Sequence, residues 1–363
     1  MNAEPILVHD YLLVMRGAER SFAAMAAQWP EAPIATLLYD REATSPYFDG
    51  HEISTSWMQR LGVRQKGFRA LLPLFPRAAE RLPVGGHQLV VSSSSAFAHG
   101  VRPDPGAVHV CYCYSPFRYA WHERERALLE VPRAARPLLN AILDRIRAWD
   151  RAAAQRVSAY ISISEITRTR IQDFWGRDST VVHPPVEVER FSIGTPEDYF
   201  LFVGEIVSHK QIELALKAAR KAGVPMKVVG EGPDAERLKS EYADTAEFVG
   251  RVDDPQLVGL MASARALIVP NVEEFGIAAV EAQAAGRPVL AAAAGGVLET
   301  VIDGETGILL PPGDGDALAE ALANVNFDSF DPARIAAHAQ QFSVSAFQRR
   351  LAAEVSRIAS AGS

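Results

Sequence analysis

The chain has 363 residues, of which 48% are hydrophobic and 22% charged, and its formal net charge is −7. This length favours two domains over one, and the acidic balance, without a nucleic-acid-binding motif, argues against a nucleic-acid partner. No apolar run approaches the roughly 20 residues of a membrane-spanning helix, and the N-terminus lacks the pattern of a signal peptide, so we predict a cytoplasmic protein.

The first half of the chain alternates short apolar runs with helical patterns. The runs end in polar residues, which is typical of buried strands; they are PILVHDY, IATLLYD, QLVVSSSS, VHVCYCYSP and AYISISE. Helical patterns lie between them and include residues 17–28 and 133–156. This alternation predicts a doubly wound α/β domain over residues 1–190.

Positive charge is concentrated in this first half. Residues 1–190 carry 23 Lys and Arg against 20 Asp and Glu, a balance of +3, whereas the remainder carries 14 against 24, or −10. The charge is densest in residues 60–82, where six basic residues and one acid are interleaved with phenylalanine and leucine. That pattern suits peripheral contact with anionic lipids of the inner membrane. A solvated helix whose apolar side packs on the core would show the same pattern.

The second half has a more regular alternation of strands and helices. Apolar or β-branched runs, each followed by a loop and a helical pattern, are YFLFVG, MKVVG, AEFVG, ALIVP and RPVLAA. They predict a second doubly wound, parallel sheet over residues 191–340. Ligands of such sheets bind beyond the carboxyl ends of the strands, which here carry Gly204, Gly230, Gly250 and the loop 271–276. The helical pattern in 341–363 is not needed by this sheet, and we predict that it packs on the first domain.

A resemblance to a known family covers nearly the whole chain. The segment NVEEFGIAAVEAQAAGRPVLA, residues 271–291, resembles the E-x7-E signature of family 4 retaining glycosyltransferases, with Glu273 and Glu281 in its two Glu positions. Further segments similar to this family follow in the expected order; they include HDYLLVMRGAER, CYCYSPFRYAW, HPPVEVERF, VGEIVSHKQIELAL and VVGEGPDAERL. The resemblance implies the GT-B fold, in which two doubly wound Rossmann-like domains face a central cleft.

The resemblance also implies an activity. It is strongest to bacterial enzymes that add mannose or other hexoses during surface polysaccharide or O-antigen assembly. The implied substrates are a nucleotide-sugar donor, with GDP-mannose as the best choice, and a lipid-linked saccharide acceptor. The same enzyme class with UDP-glucose or a related donor is one alternative, and a non-catalytic GT-B scaffold subunit is another. No cofactor and no metal are expected.

The donor residues follow from the chemistry of a nucleotide-sugar. An ionised carboxylate can accept hydrogen bonds from vicinal hydroxyls, so the resemblance places Glu273 against the sugar and Glu281 on the ribose. The diphosphate needs donors instead, and the family match assigns it Lys210 together with backbone N–H groups at a helix start. Lys210 and Glu273 are the implied catalytic residues. The remaining implied donor contacts are Gly17, Glu205, Gly230, Gly250, Arg251, Val252, Phe275, Gly276 and Ile277.

Two positions depart from the family pattern. Glu205 stands beside Gly204, where an arginine commonly pairs with the diphosphate, so Lys210 acts alone or Arg251 substitutes for the missing arginine. Tyr114 stands where related sequences often carry a histidine near the reacting sugar. Tyrosine, with an ordinary pKa of about 10, is a poor base near neutral pH. Retention in this family is attributed to attack on the face of the departing phosphate, which takes the proton, so we predict that Lys210 matters more than any histidine.

Candidate acceptor residues lie in the first domain. His9 and Asp10 end the first strand, where they could meet the acceptor or cap a loop, and Tyr114 is a third candidate. Arg118 and Trp121 could bind a sugar or a lipid phosphate by pairing and stacking, or they could serve packing alone. The D-x-D pattern that begins at Asp314 is better interpreted as a helix N-cap than as a metal site.

Overall fold

The computed structural model describes residues 4–62 and 68–361, with the backbone alone for residues 68–70. Contacts divide the chain into two compact units. Unit 1 is Met1–His183 with Phe347–Ser363, and unit 2 is Pro184–Ala346. Each unit is built on one parallel sheet.

Unit 1 contains a seven-stranded sheet with the strand order β3-β2-β1-β4-β5-β6-β7. The strands are β1 (Ile6–His9), β2 (Ile34–Thr36), β3 (Ile53–Thr55), β4 (Leu89–Ser94), β5 (Val108–Cys113), β6 (Ala159–Ser162) and β7 (Ser179–Val181). The α-helices are α1 (Gly17–Ala26), α2 (Arg41–Thr44), α3 (Phe75–Ala79), α4 (Arg124–Leu129), α5 (Arg136–Ala154) and α6 (Glu165–Trp175). Short 3-10 helices are Trp57–Leu61, Phe68–Leu74, Ala98–Gly100 and Arg133–Ala135.

The central strands of unit 1 are buried along their length. Every residue of β1 and β4 is buried, as expected when helices cover both faces of a parallel sheet. Cys111 and Cys113 in β5 are free, buried thiols.

The last helix, α14 (Val344–Ala361), supplies part of unit 1 although it follows unit 2 in the chain. Phe347 is buried, and its ring packs edge-on against Tyr112 of β5 with 5.5 Å between ring centroids. Gln348 donates a hydrogen bond of 2.9 Å from Nε2 to the carbonyl oxygen of Ala24 in α1. The apolar side of α14 therefore covers the first sheet.

Unit 2 contains a six-stranded sheet with the strand order β10-β9-β8-β11-β12-β13. The strands are β8 (Phe200–Val203), β9 (Met226–Val229), β10 (Ala246–Gly250), β11 (Ala266–Val269), β12 (Val289–Ala292) and β13 (Gly307–Leu310). The α-helices are α7 (Ile212–Ala222), α8 (Ala235–Glu241), α9 (Asp254–Ser263), α10 (Ile277–Ala284), α11 (Val297–Thr300), α12 (Gly315–Asn324) and α13 (Pro332–Ala339). Short 3-10 helices are Val188–Arg190, Ser208–Lys210, Phe327–Ser329 and Gln340–Phe342.

The predicted α/β class with two doubly wound, Rossmann-like sheets is confirmed. Both strand orders follow the 3-2-1-4-5-6 pattern of dinucleotide-binding folds, extended in unit 1 by one further strand. The ten predicted strands are present, and β3, β7 and β13 are additional.

The basic stretch 60–82 is described only in part, because residues 63–67 and the side chains of 68–70 lie outside the described residues. Leu71, Leu72 and Phe75 pack on the core of unit 1, whereas Leu61 is 50% exposed and Leu74 is 39% exposed. The apolar side chains of the stretch are thus divided between core and surface. Within residues 4–62 and 68–361, no helix is both long enough and apolar enough to span a bilayer.

Candidate functional site

The strand order of unit 2 reverses between β8 and β11, which are neighbours at the middle of the sheet. The chain continues from β8 to one side and from β11 to the other, so the loops at their carboxyl ends diverge. Such a reversal leaves a crevice where open α/β sheets bind their ligands. The loop after β8 carries Lys210, and the loop after β11 carries Glu273.

Lys210 and Glu273 form an ion pair in this crevice. Lys210 Nζ lies 2.6 Å from Glu273 Oε1, and each side chain is 25% exposed. Lys210 ends the short 3-10 helix Ser208–Lys210, and the next residue, Gln211, adopts a positive φ of 50° before α7 begins. The structure therefore brings together the two predicted catalytic residues, 63 positions apart.

The start of α10 lies next to this pair. Gly276 has a φ of 92° and precedes Ile277, the first residue of the helix. A left-handed backbone of this kind favours glycine. Phe275 is buried, and its ring packs edge-on against Phe342 with 5.6 Å between centroids. The first N–H groups of a helix have no partner within the helix, so this terminus is suited to an anion.

Glu281 lies in α10 within the electrostatic field of Arg190. Arg190 donates from Nη1 to Glu187 at 2.7 Å, and its Nη2 lies 3.0 Å from Asp254 Oδ2. Burial opposes its charge, but the hydrogen bond to Glu187 and the charges of Asp254, Glu187 and Glu281 together raise the pKa of Arg190. The half-buried Arg190 thus pairs the segment before β8 with α9 and lies in the electrostatic field of Glu281 in α10.

Three glycines close the carboxyl ends of β8, β9 and β10. The amide of Gly230 donates to the carbonyl of Gly250 at 2.9 Å. A Cβ on Gly230, where φ is 140°, would lie 1.9 Å from the carbonyl oxygen of Gly204. Glycine is therefore required at Gly230 for the loops after β8 and β9 to approach each other. The implied donor contacts Gly230 and Gly250 are joined by a hydrogen bond.

Glu205 and its suggested substitute Arg251 both lie at the surface of unit 2. Glu205 is exposed, and its side chain forms no ion pair with any residue that the structure describes. Arg251, 79% exposed, has its Nη2 3.6 Å from Glu231 Oε2, and the adjacent Val252 is half-buried. The guanidinium group of Arg251 is thus paired with Glu231.

In unit 1, Asp10 binds the loop that follows β4. Its Oδ2 accepts from the backbone amides of Ser95 at 2.6 Å and Ala96 at 2.9 Å, and its Oδ1 accepts from those of Phe97 at 2.7 Å and Ala98 at 2.6 Å. The carboxylate is 1% exposed. These bonds match the loop-cap alternative for Asp10, while acceptor binding stays a prediction.

His9 and Tyr114 are buried beside the same strand ends. His9 Nδ1 lies 3.1 Å from Ser93 Oγ, and burial lowers the pKa of His9 to about 4 against the opposing charge of Asp10. Tyr114 accepts from Ser93 Oγ at 2.9 Å and donates to the carbonyl of Ala18 at 2.9 Å. Burial raises the pKa of Tyr114, so its hydroxyl stays protonated near neutral pH.

Gly17 is the first residue of α1 and is half-buried. The preceding residue, Arg16, donates its backbone N–H to Glu19 Oε2 at 3.0 Å. Gly17 accepts a hydrogen bond of 2.9 Å from Ser21 Oγ at its carbonyl. The helix start predicted at Gly17 is therefore present.

Trp121 and Arg118 make protein contacts in unit 1. The indole of Trp121 stacks on Phe174 with 4.7 Å between centroids, and the guanidinium group of Arg147 lies 4.9 Å from the centroid of the indole. The indole N–H of Trp121 donates to Asp150 Oδ2 at 2.7 Å. Arg118 Nη1 lies 3.8 Å from Glu123 Oε1, and its side chain is 43% exposed. Packing accounts for the Trp121 contacts, whereas Arg118 leaves part of its guanidinium group open to solvent.

Asp314 is the N-cap of α12, as its sequence context predicted. Its Oδ1 accepts from the backbone amides of Asp316 at 3.1 Å and Ala317 at 2.9 Å. Asp316 Oδ1 instead lies 2.7 Å from Lys221 Nζ. The two carboxylates of the D-x-D pattern therefore have separate partners.

Comparison with known proteins finds a family match within the second unit. Residues 186–342 match the family described as glycosyl transferases group 1. The match covers less than half of the chain, and we call these residues the group 1 segment. The group 1 segment contains Arg190, Lys210, Glu273 and Glu281, and it excludes the first sheet.

Curated proteins similar to this chain are named as transferases of sugars. The chain is 37% identical over 169 residues to D-inositol 3-phosphate glycosyltransferase of Mycobacterium avium, which covers 40% of each chain. It is 32% identical over 195 residues to phosphatidyl-myo-inositol mannosyltransferase of Mycobacterium leprae, covering 49% of this chain and 51% of the relative. The chain thus spans about half or less of the length of these relatives.

A solved structure extends the likeness in fold over the whole chain. The crystal structure of Anabaena Alr3699/HepE in complex with UDP has a TM-score of 0.71 and 17% sequence identity, and the match covers 97% of this chain and 100% of that one. The same protein in complex with UDP-glucose has a TM-score of 0.69. At this identity the likeness concerns the fold, and it agrees with the GT-B architecture of two Rossmann-like sheets. The family 4 assignment and the retaining mechanism stay predictions.

Two residues that interact with predicted site residues were absent from the prediction. Asn271 contacts Glu273, and Arg190 lies in the field of Glu281. Arg190 falls within HPPVEVERF, a segment similar to the family, and Asn271 falls in the loop after the run ALIVP. Their places in these segments could have marked both residues as candidates. Neither their spacing nor their residue type indicated a contact with Glu273 or Glu281.

Proposed function

We propose that this protein is a retaining family 4 glycosyltransferase that moves a hexose from a nucleotide-sugar to a saccharide acceptor in cell-surface polysaccharide synthesis. The best assignment is mannose from GDP-mannose to a lipid-linked acceptor. Transfer is proposed to need no divalent metal and should therefore persist in EDTA.

The observation that carries this proposal is the Lys210–Glu273 pair in the crevice between β8 and β11. A nucleotide-sugar joins a diphosphate, which needs positive charge, to hydroxyl groups, which need acceptors. An ammonium and a carboxylate held 2.6 Å apart offer both partners at adjacent points. The helix terminus at Gly276 adds backbone N–H groups for the same anion.

The proposed chemistry places the charge of Lys210 on the departing diphosphate. A fixed cation stabilises the negative charge that develops as the bond to the sugar breaks, and this kind of stabilisation is usually the largest single contribution to the rate. The phosphate oxygen takes the proton of the acceptor hydroxyl, so the mechanism assigns no base to Tyr114, whose pKa burial raises. Glu273 orients the sugar, and Glu281 binds the ribose.

The choice of donor rests on the relatives. The match to a mannosyltransferase supports mannose, and the structural neighbour that holds UDP-glucose supports a UDP-sugar as the alternative. A non-catalytic scaffold is the third candidate, and Glu205 motivates it, because its exposed carboxylate stands where the family commonly has an arginine for the diphosphate.

Thermal shift in the presence of nucleotides tests the donor site. The ligands are GDP-mannose, GDP, UDP-glucose, UDP-N-acetylglucosamine and UDP. A ligand at about 100 times its Kd adds roughly 2.7 kcal/mol of stability, which raises the Tm of a unit of this size by about 5–10 °C. We expect one nucleotide family to produce this shift, and Glu281→Ala to abolish it because the ribose loses its acceptor.

The matched control is Glu320→Ala, which removes an exposed glutamate from α12 of the same unit. It should keep the shift of the parent protein. If no nucleotide shifts the Tm at millimolar concentration, the donor site is wrong and the scaffold becomes the favoured function. If the nucleotide still raises the Tm of Glu281→Ala, the proposed contact of Glu281 with the ribose is wrong.

We also propose that the protein is cytoplasmic and contacts the inner membrane face through residues 60–82. Leu61 and Leu74 are the described large apolar side chains of this stretch that stay exposed, and Arg60, Arg77 and Arg81 are exposed beside them. Each basic residue near an anionic surface contributes about 1 kcal/mol of binding.

Vesicle flotation tests this contact. The double variant Leu61→Glu, Leu74→Glu should bind vesicles of phosphatidylglycerol and phosphatidylcholine at least about fivefold less than the parent, because it adds negative charge and removes apolar surface. Leu129→Glu with Leu138→Glu is the matched control, since these leucines of unit 1 are 68% and 66% exposed outside the stretch. Equal losses in both variants would show that the stretch has no special role.

A further inference from the structure

Asn271 is a buried amide whose side-chain N–H groups stay within its own loop. It follows Pro270 at the end of β11 and is 4% exposed. Its Nδ2 donates to Glu273 Oε1 at 3.0 Å and to the carbonyl oxygen of Val272 at 3.2 Å. If the side-chain amide of Asn271 were rotated by 180°, its oxygen would face the carboxylate of Glu273 and repel it. The hydrogen-bond partners therefore determine that the NH2 group of Asn271 faces Glu273.

The backbone of Glu273 is held independently of this amide. Its carbonyl oxygen accepts from the amide of Gly296 at 2.8 Å, and Glu273 pairs with Gly295 in a parallel bridge. A Cβ on Gly295, where φ is 74°, would lie 2.4 Å from the same carbonyl oxygen. The two glycines thus fix where the side chain of Glu273 begins but leave its torsions free.

The two oxygens of the Glu273 carboxylate have different surroundings. Oε1 accepts from both Lys210 Nζ at 2.6 Å and Asn271 Nδ2 at 3.0 Å. Oε2 receives no hydrogen bond from any part of the chain that the structure describes, and the side chain is 25% exposed. The amide and the ammonium therefore share one oxygen and leave the second free to accept from a ligand.

We propose that Asn271 is a positioning residue that holds Glu273 so that Oε2 faces the sugar of the donor. This inference rests on the proposed function. Because the amide acts on the carboxylate and not on the diphosphate, it contributes to recognition of the sugar. A free nucleoside diphosphate has no sugar hydroxyl at this place, so its affinity is independent of Asn271.

Asn271→Ala and Asn271→Asp test the proposal, with Asn324→Ala at the exposed end of α12 as the control. We expect Asn271→Ala to lower kcat/KM for the sugar donor about tenfold, while the Kd of the matching nucleoside diphosphate changes less than about twofold. If Asn271 had a purely structural role, its loss would weaken the binding of both the sugar donor and the nucleoside diphosphate and would lower the Tm. The control should retain the parent values.

Asn271→Asp supplies a second signature in the pH profile. The introduced carboxylate is nearly isosteric with the amide but repels Glu273, and a neighbouring like charge favours its protonated form. Protonation restores a donor at this place. We therefore expect its kcat/KM, relative to the parent, to rise as the pH is lowered from about 8 to about 5.5.

The outcomes separate this inference from the function on which it rests. If the parent transfers sugar and both variants match it, the positioning role is overturned. If the parent binds no nucleotide, the proposed function fails. A crystal structure of Asn271→Ala then decides whether Asn271 orients the carboxylate of Glu273. A Glu273 carboxylate that stays on Lys210 with Oε2 in the same direction would overturn the role of the amide, and a rotated carboxylate would support it.

Discussion

Replacing Lys210 with alanine is expected to lower kcat/KM for the nucleotide-sugar by about 100-fold or more, since a single preorganised group at a developing charge is worth about that much. The ammonium lies 2.6 Å from Glu273, and both side chains are three-quarters buried. Partial exclusion of water strengthens its attraction for a diphosphate. The substitution also leaves the Glu273 carboxylate unpaired beside the arriving phosphate, which adds repulsion.

Steady-state kinetics with Lys210→Ala, Lys210→Arg and Lys221→Ala measures this effect. Lys221 is the matched control, because it is a lysine of α7 whose side chain is 61% exposed and pairs with Asp316. Lys210→Arg keeps the charge but spreads it over a planar group, and it should recover part of the activity. A value for Lys210→Ala within about threefold of the parent, roughly 0.65 kcal/mol, would remove Lys210 from catalysis.

Asp10→Ala is expected to lower the free energy of unfolding of unit 1 by about 4 kcal/mol, as removal of a buried charged partner does in other proteins. Four consecutive backbone amides of the loop after β4 donate to this carboxylate at 2.6–2.9 Å. Without it the N–H groups of Ser95, Phe97 and Ala98 lose their acceptor, whereas that of Ala96 keeps a long contact of 3.4 Å to Ser94 Oγ. Each unsatisfied buried group costs about 1–3 kcal/mol.

Chemical denaturation followed by near-ultraviolet circular dichroism checks this expectation. Asp104→Ala is the control, because Asp104 is exposed and accepts one backbone hydrogen bond, from Gly86 at 2.6 Å; its loss should cost less than about 1 kcal/mol. If Asp10→Ala does not fold, Asp10→Asn retains an acceptor and should give an intermediate loss. Equal stabilities for Asp10→Ala and the parent would mean that the loop finds other acceptors.

Sequence periodicity predicted the interior strands of both sheets but only one of the four edge strands, β10. The strands that it missed, β3, β7 and β13, are outer strands in the observed orders. An outer strand pairs on one side only, so it is shorter and less completely buried than a central one. Ile53–Thr55 has no buried residue, and Ser179–Val181 is three residues long. Runs of this kind lack the continuous apolar signal of a central strand.

The sequence also located the edge of the sheet that carries the candidate site. Lys210 and Glu273 both follow predicted strands, and parallel strands present their carboxyl ends at one edge. That reasoning could not show that the two side chains touch, because the strand order decides which loops are neighbours. Asp10 illustrates the same limit. Its partners lie 85 to 88 residues away, and no local pattern separates a loop cap from a ligand contact.

The late position of α14 in the chain has a consequence for synthesis on the ribosome. The strands of unit 1 emerge first, but the helix that brings Phe347, Leu351 and Val355 into buried positions is translated only after all of unit 2. Until then the surface beside Tyr112 lacks its cover, and exposed apolar surface of this kind makes nascent chains prone to aggregation and dependent on chaperones. The domain whose translation begins first is therefore the last to be completed.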